Sequence, residues 1–231
     1  MVTGVLLAAG ESTRFGGLVP KQLVNIAGKA VLRYSLQTFN DHPKINEIIV
    51  VTQENLIPAV QDLVKDSFSK VSAVIKGGKT RYLSSLAAIN HINDDHDTKI
   101  LFHDAARPFV TQTMISDCLN ALEKYDAVTA AIPPSDTLLK VVDNEILSVP
   151  NRKDLMCAQT PQGFRLGVVR QAYELLAKEK NYEPTDDCGV VHRFLPDIKI
   201  GIIQGSDTNI KLTFPKDIDL AESILNHESE Q

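Results

Sequence analysis

The sequence lacks any apolar run close to the roughly eighteen residues that a membrane-spanning helix needs. It also lacks a charged and then apolar leader before its first predicted strand, so we expect no cleaved segment. Nor is there an excess of basic residues, since 24 Lys and Arg stand against 29 Asp and Glu, for a net charge of −5. These features argue against a nucleic-acid-binding stripe and against a membrane protein. We expect a soluble, cytoplasmic protein.

Cysteine and histidine patterns typical of metal or disulfide sites are missing as well. The three cysteines, Cys118, Cys157 and Cys188, are far apart and odd in number, which excludes a disulfide framework and a zinc-binding spacing. We expect all three to be small, buried apolar side chains. The six histidines form no His-Glu-x-x-His motif, so the sequence predicts no catalytic transition-metal site.

What the sequence does contain is an apolar run, Val2–Ala8, that leads straight into a loop of small residues. A strand that ends in such a loop leaves backbone N–H groups free to face an anion. Arg14 and Lys21 add two cations, and Pro20 restricts Val19 to extended backbone. The loop suits a polyphosphate, although Walker A and Gly-x-Gly-x-x-Gly motifs are both absent. The alternative is a flexible connection with two solvated cations.

Strands and helices alternate along the first 132 residues. Strands are predicted at residues 2–8, 47–52, 71–75, 99–102 and 127–132, and helices at 31–39, 56–64 and 111–122. This alternation implies right-handed βαβ units and an α/β fold with a parallel sheet covered on both faces. Loops at the carboxyl ends of the strands should carry the site. We expect one domain over residues 1–231.

The third predicted strand ends in a second loop suited to phosphate. Gly77 and Gly78 precede Lys79, Thr80 and Arg81, and Ser84 and Ser85 are predicted to open a helix. A glycine pair gives a ligand close access to the backbone at a helix N-terminus. The alternative is a Gly-rich turn with a serine cap. Two such loops at the strand ends of one sheet favour a nucleotide.

The fourth predicted strand ends in His103-Asp-Ala-Ala-Arg-Pro108. The carboxylate of Asp104 could accept hydroxyl hydrogens from a polyol, and the guanidinium of Arg107 could bind its phosphate. Alternatively, the two side chains could form a local ion pair in a turn.

The alternation breaks between residues 133 and 152. Residues 138–142 and 146–149, with a turn at Asp143 and Asn144, predict a β-hairpin. A hairpin alone is marginally stable, so this arm is expected to pack on a second subunit. Beyond it, we predict a helix at 166–177, an N-cap with acidic first-turn residues at Thr185-Asp-Asp187, a strand at 199–203 and a closing helix from Pro215 to Leu225.

Together the motifs resemble one family along essentially the whole chain. They are Ala8-Ala-Gly, Arg14, Pro20-Lys-Gln22, Gly77-Gly78, Arg81, Ser84, His103-Asp-Ala-Ala-Arg-Pro108, Asp136-Thr137, Arg152, Gln159-Thr-Pro-Gln162, Thr185-Asp-Asp187 and Asn209-Ile-Lys-Leu-Thr213. The family is that of 2-C-methyl-D-erythritol 4-phosphate cytidylyltransferase, with ribitol 5-phosphate cytidylyltransferase as a close relative. The resemblance implies a Rossmann-like core, CTP and Mg²⁺ as requirements, and a homodimer formed by the arm.

The resemblance also implies roles for individual residues. Arg14 and Lys21 match the family's pair that stabilises the transition state, and Lys211 matches a lysine that positions the reacting phosphates. The nucleotide-binding positions are matched by Ala8, Ala9, Gly10, Gly78 and Ser84. The polyol phosphate positions are matched by Asp104, Arg107, Thr137 and Arg152, with Arg152 reaching a partner's site. Lys79 departs from the many members that carry an acidic residue there.

The reaction needs cations rather than a general base. A phosphate monoester has a second pKa of about 6, so it is largely ionised when it attacks the α-phosphorus of CTP. The Asp104-Ala-Ala-Arg107 motif favours methylerythritol phosphate, because ribitol-type members tend to carry Val before that arginine. The Gly-Gly-Lys-Thr-Arg loop and the stretch around Asn209 also fit ribitol-type sequences. A non-catalytic nucleotide-binding scaffold is the remaining alternative.

Overall fold

The computed structural model describes residues 1–10, 15–16, 20–93 and 98–229. Within these ranges the strands are β1 (Val2–Ala8), β2 (Asn25–Ile26), β3 (Lys29–Ala30), β4 (Glu47–Thr52), β5 (Val71–Lys76), β6 (Lys99–Asp104), β7 (Ala127–Ile132), β8 (Lys140–Val142), β9 (Glu145–Ser148), β10 (Cys157–Arg165) and β11 (Ile200–Gln204). The α-helices are α1 (Val31–Asp41), α2 (Ile57–Val64), α3 (Arg81–His91), α4 (Gln112–Ala121), α5 (Leu166–Leu176), α6 (Asp187–Phe194) and α7 (Asp217–Ser229). Short 3-10 helices cover Lys21–Leu23, Glu54–Leu56 and Arg152–Asp154.

A seven-stranded sheet in the order β11-β7-β10-β6-β1-β4-β5 forms the centre of the fold. Strand β1 pairs in parallel with β4 and β6, β4 pairs in parallel with β5, and β7 pairs in parallel with β11. Strand β10 is antiparallel to both of its neighbours, β6 and β7. The predicted α/β, mostly parallel, Rossmann-like fold is therefore confirmed.

Strand β10 was not predicted, because its sequence does not look like a strand. Pro161 cannot donate a ladder hydrogen bond, and Gly163 is unfavourable inside a strand. The register of β10 against β7 shifts between Ala158 and Gln162, which accommodates the proline at an irregularity. A Cβ at Gly163 would lie 2.7 Å from the Cys118 sulfur, so the glycine lets α4 pack directly on the strand.

Helices cover both faces of the sheet. Successive side chains of β1 point to opposite faces, and those on each face are buried against helices. Leu6 packs in a buried cluster with residues of α1, α2 and α4, such as Phe39. Val5 and Leu7 pack in a second cluster with residues of α3, α5 and α6. A Cβ at Gly4 would lie 2.6 Å from the Phe39 ring, so glycine is needed for this close approach.

Several local predictions are confirmed and two are wrong. Asp186 caps α6, since its Oδ1 accepts a hydrogen bond from the Gly189 N–H at 2.7 Å. Helix α3 begins at Arg81 with Thr80 as its N-cap, rather than at the predicted serine pair, because the threonine hydroxyl already meets the first-turn backbone. Cys118 and Cys188 are buried as expected, but Cys157 is exposed.

The predicted β-hairpin arm is present as β8 and β9, paired antiparallel. Asp143 and Asn144 both have positive φ, at 49° and 65°, which is the backbone of a tight hairpin turn. Its large apolar side chains are about half exposed in the single chain, as at Val141, Ile146 and Leu147. Among the described helices, none is both long and apolar enough to cross a membrane.

Candidate active site

A pocket opens at the carboxyl end of β1, beside the loops that follow β5 and β6. It brings together the five predicted nucleotide-binding positions, Ala8, Ala9, Gly10, Gly78 and Ser84. The same pocket is lined by Lys21, Asp104 and Lys211. Asp104 and Lys211 are 107 residues apart in the sequence. The expectation that the carboxyl ends of the strands would gather these residues therefore agrees with the structure.

One wall of the pocket is built by the loops after β1 and β5, which are in close contact. A Cβ at Gly77 would lie 2.5 Å from the Ala9 Cβ, so a side chain there would push the loops apart. The Gly78 N–H donates to the Ser84 Oγ at 3.2 Å, so this backbone group is held by the helix rather than left open. Gln22, which is buried, donates to the Ala8 carbonyl oxygen at 2.7 Å and fixes the end of β1.

Asp104 is the one carboxylate among the described residues that line the pocket, and both of its oxygens are in ion pairs. Arg81 Nε lies 3.0 Å from Oδ1, and Lys211 Nζ lies 2.6 Å from Oδ2. Burial by itself would raise the pKa of Asp104, but the charges of Arg81 and Lys211 outweigh it and hold the pKa well below its usual range. Asp104 is therefore an ionised acceptor with a fixed orientation.

Arg107 is placed differently from its predicted neighbour. Its Nη1 donates to the Asn209 carbonyl oxygen at 2.7 Å, and its Nε is buried with no hydrogen-bond partner. Because the ion pairs of Asp104 among the described residues are with Arg81 and Lys211, the alternative of a local Asp104–Arg107 ion pair is wrong. Arg107 instead ties the β6 loop to the loop that carries Lys211.

The remaining predicted residues stand outside the described part of this pocket. Thr137 and Arg152 are exposed at the base of the arm, where Arg152 Nη1 donates to the Ser135 carbonyl oxygen at 2.8 Å. Arg14 lies outside the residues that the structure describes. Of the four predicted polyol-phosphate residues, only Asp104 is among the described residues that line the pocket, while Arg107 is bound to Asn209 and Thr137 and Arg152 lie at the base of the arm.

Sequence reasoning missed the buried pairing of Arg81 with Asp187. Arg81 Nη1 lies 2.7 Å from Asp187 Oδ2, and the Tyr173 hydroxyl donates to Asp187 Oδ1 at 2.5 Å. Asp187 lies in the first turn of α6, as predicted, and its side chain is fully buried. No signal for this pair was present in the sequence, because the predicted helix began at Ser84, and the place of Arg81 in the first turn of α3 is known only from the structure.

The buried imidazole of His103, next to Asp104, should make folding sensitive to acid. Desolvation lowers the pKa of His103 from 6.5 to about 4, although the Arg107 carbonyl and the Asp104 charge act in the opposite direction. The unfolded chain therefore takes up a proton near pH 6.5 that the folded chain binds only near pH 4. Asp104, whose pKa is held well below its usual 3.8 in the folded state, is ionised in both states down to about pH 5 and adds to the loss of stability only as the pH approaches 4.

The free energy of unfolding should thus fall by about 3 kcal/mol through His103 alone as the pH drops from 6.5 towards 4. His103→Gln should flatten this dependence, measured by urea unfolding near pH 7 and near pH 4.5. His192→Gln, at an exposed position on α6, is the control and should keep the parent slope. An unchanged slope in His103→Gln would contradict the assignment.

The sequence was compared with protein families and curated proteins. Residues 2–227 match the family described as IspD: 2-C-methyl-D-erythritol 4-phosphate cytidylyltransferase. The chain is 40% identical to the 2-C-methyl-D-erythritol 4-phosphate cytidylyltransferase of Thermobifida fusca, over 97% of this chain and 93% of the relative. It is 41% identical to the bifunctional ribulose 5-phosphate reductase/CDP-ribitol pyrophosphorylase Bcs1 of Haemophilus influenzae, over 98% of this chain. The chain spans about half of that relative, 48% of its length.

The fold was compared with solved structures. The 4-diphosphocytidyl-2C-methyl-D-erythritol synthase of Anaerococcus prevotii superposes with a TM-score of 0.87 at 27% identity, over 97% of this chain and 96% of the other. The 2-C-methyl-D-erythritol 4-phosphate cytidylyltransferase of Thermus thermophilus superposes with a TM-score of 0.77 at 26% identity, over 96% and 98% of the two chains.

Proposed function

The chain belongs to the 2-C-methyl-D-erythritol 4-phosphate cytidylyltransferase family, and we propose that it transfers CMP from CTP to 2-C-methyl-D-erythritol 4-phosphate. The products are 4-CDP-2-C-methyl-D-erythritol, an isoprenoid precursor, and pyrophosphate. The observation that carries this proposal is the convergence of three loops on one pocket, where backbone walls for a nucleotide meet Lys21, Lys211 and the carboxylate of Asp104. The cytoplasmic location expected from the sequence is part of the proposal.

The chemistry follows from the charges in the pocket. The substrate's monoester is largely ionised at neutral pH and attacks the α-phosphorus of CTP in line, expelling pyrophosphate. Two anions must approach each other, so the barrier is lowered by cations that spread the developing charge. We assign this role to Lys21 and Lys211, together with Arg14. Lys211 is about 39% exposed while paired with Asp104, which leaves its ammonium accessible from the pocket.

Asp104 is suited to the polyol rather than to the phosphates. Its oxygens accept hydrogen bonds, and a carboxylate would repel the phosphates of CTP. Ala105 and Ala106 follow it in the wall of the pocket and leave room for a small substrate. We therefore place the polyol hydroxyls beside Asp104, with the phosphate end towards Arg107, Thr137 and Arg152.

A homodimer completes this arrangement in our proposal. Thr137 and Arg152 are exposed at the base of the arm, and the arm itself presents Val141, Ile146 and Leu147 to solvent. Such a concentration of exposed apolar side chains on a two-stranded hairpin favours contact with another protein surface. A second copy, with its own arm exchanged, would bring Thr137 and Arg152 to the partner's pocket.

We propose that Mg²⁺ binds to the pocket together with CTP. Among the described residues, no group of three or more His, Cys, Asp or Glu could hold a metal. Asp104 has both oxygens in ion pairs, so the donor set of the pocket fits a magnesium ion held mainly by the phosphates of CTP. The ion would supply further positive charge to the transferring phosphoryl group.

Ribitol 5-phosphate is the second candidate substrate, giving CDP-ribitol. The 41% identity to the Haemophilus influenzae protein, whose name includes a CDP-ribitol pyrophosphorylase, supports it. The family match and the relative in Thermobifida fusca favour methylerythritol phosphate. A catalytically silent nucleotide-binding scaffold would retain the fold but release no pyrophosphate.

A direct assay separates these functions. The protein is incubated with CTP, Mg²⁺ and either polyol phosphate, and pyrophosphate release is followed with the nucleotide product identified by mass. We expect turnover with both CTP and methylerythritol phosphate present, with a higher kcat/KM than for ribitol 5-phosphate. A preference for ribitol phosphate would reverse the assignment of the substrate. If neither polyol phosphate is turned over, the chain is instead a non-catalytic nucleotide-binding scaffold.

Ala106→Val should then change the choice between the two substrates. Ala106 is 6% exposed and lines the pocket, so added methyl groups narrow the space for a branched polyol. One methyl group in a pocket is worth roughly 1–3 kcal/mol, so kcat/KM for methylerythritol phosphate should fall about tenfold or more relative to ribitol phosphate. Ala121→Val, on α4 and away from the pocket, is the control. An unmoved ratio would exclude Ala106 as a determinant of selectivity.

A further inference from the structure

His103 lies immediately before Asp104 on β6, yet its imidazole points into the protein core. The side chain is fully buried, and its ring packs against Phe39 with a centroid separation of 5.5 Å. Its Nε2 lies 2.9 Å from the Arg107 carbonyl oxygen, and its Nδ1 lies 3.0 Å from the Thr160 Oγ1. The mechanism outlined above uses none of these contacts.

These distances allow one consistent assignment of the hydrogens. A backbone carbonyl can only accept, so Nε2 must carry the proton that faces Arg107. Burial keeps the ring neutral, which leaves Nδ1 without a proton and able to accept from the Thr160 hydroxyl. The Thr160 oxygen retains lone pairs, and it accepts the Asp104 N–H at 3.1 Å.

The result is a closed set of hydrogen bonds around the turn from Asp104 to Arg107. Asp104 donates to Thr160, Thr160 donates to His103, and His103 donates to the Arg107 carbonyl. The Arg107 N–H donates back to the Asp104 carbonyl at 2.9 Å and closes the set. Thr160 comes from β10, so the turn after β6 is fixed to the neighbouring strand of the sheet.

We propose that His103 and Thr160 are positioning residues that hold the Asp104–Arg107 turn so that the Asp104 carboxylate faces the polyol of the acceptor substrate. This inference rests on the proposed function for the identity of that substrate. Neither side chain lines the described part of the pocket, so both act through the backbone of the turn.

Loss of these hydrogen bonds should weaken binding of the acceptor substrate and leave binding of CTP nearly unchanged. The wall assigned to CTP has its own supports, namely the Gln22 hydrogen bond to the Ala8 carbonyl and the contact of Gly78 with Ser84. None of these bonds involves His103 or Thr160. Loosening the turn would displace Asp104 and weaken its ion pair with Arg81, while the Gln22 and Ser84 hydrogen bonds still hold the loops after β1 and β5.

A matched pair of variants tests this division. Thr160→Val removes the hydroxyl at nearly constant volume, whereas Thr160→Ser keeps it. We expect Thr160→Val to raise KM for the polyol phosphate about tenfold, with KM for CTP within about twofold of the parent, because small misplacements of a binding group are costly. Thr160→Ser should stay close to the parent in both constants. If Thr160→Val does not fold, Thr160→Ala removes the same hydroxyl with a smaller side chain.

The imidazole supplies a readout that does not depend on activity. With nitrogen-15-labelled histidine, the parent should show a neutral ring protonated on Nε2, and Thr160→Val should shift the Nδ1 resonance because its donor is gone. Thr160→Ser should restore the parent resonance. If the Nδ1 resonance is the same in Thr160→Val as in the parent, the inference is overturned, whatever the kinetic constants of the variant.

Kinetics supply the other means of refutation. Equal rises in KM for CTP and polyol phosphate, or equal effects of Thr160→Val and Thr160→Ser, would show a general loss of structure and overturn the positioning role. If the parent turns over neither polyol phosphate, the proposed function fails and the positioning role fails with it, whereas the hydrogen-bonded set is still judged by the His103 resonances.

Discussion

Lys21→Ala is expected to lower kcat about a hundredfold or more, a loss of ~3 kcal/mol in transition-state stabilisation. Lys21 begins a short 3-10 helix directly after Pro20 and lines the pocket beside Ala8 and Ala9. Its charge is therefore held near the position proposed for the phosphates of CTP. The ammonium contributes most when negative charge spreads over the transferring phosphoryl group, so kcat should suffer more than the KM for CTP.

Folding should be nearly unaffected by the same change. Lys21 is partly exposed, and its side chain is not part of a buried apolar cluster. Urea unfolding of Lys21→Ala and of the parent should give similar midpoints. Lys65→Ala, at an exposed position after α2, is the matched control for loss of a positive charge and should keep full turnover. A near-normal kcat in Lys21→Ala would mean that this loop does not bind the reacting phosphates.

We expect deletion of residues 138–149 to abolish the proposed homodimer, leaving monomers, and to reduce turnover about a hundredfold or more. The deleted segment holds β8 and β9, whose exposed apolar side chains would form the contact with the second copy. Loss of the contact would remove Thr137 and Arg152 from the partner's pocket, and a bidentate arginine has no simple substitute at a phosphate. Light scattering gives the oligomeric state, and pyrophosphate release gives the activity.

A point variant tests the same idea without shortening the chain. Ile146→Asp places a charge at a position that is 61% exposed in the single chain and should disrupt the dimer. Burying an unpaired carboxylate is costly, so the monomer should be favoured over a wide concentration range. Glu145→Gln, at the neighbouring position, should remain dimeric. A fully active monomer from either Ile146→Asp or the deletion would exclude a role for the arm in the site.

Much of the fold could be predicted because its signals are local. Strands β4 and β7 have the predicted limits, Glu47–Thr52 and Ala127–Ile132, since each is a compact apolar run between polar residues. The arm could be predicted from alternation and from a turn at Asp143 and Asn144. Strand β10 could not, because Pro161 and Gly163 contradict a strand unless the position of α4 is known.

Most residues of the candidate site could be predicted, but the hydrogen bonds and ion pairs between them could not. The motifs placed Lys21 in the loop after β1 and Asp104 at the end of β6, and the resemblance singled out Lys211. The structure brings all three to one pocket. The motifs did not indicate that Arg107 would bond to the Asn209 carbonyl rather than to Asp104. They also suggested only a capping environment for Asp187, whose partner Arg81 is 106 residues away.

The sequence by itself determined the α/β class, the loops that carry charge and the family to which the chain belongs, because hydrophobic periodicity and short motifs depend on neighbouring residues. Only the tertiary structure decided how those charges are paired. The order of strands in the sheet places β6 beside β10, which brings Thr160 to His103, and it brings Lys211 to Asp104 across 107 residues. Such pairings follow from the free energy of burying whole faces of the sheet, and no local pattern in the chain encodes them.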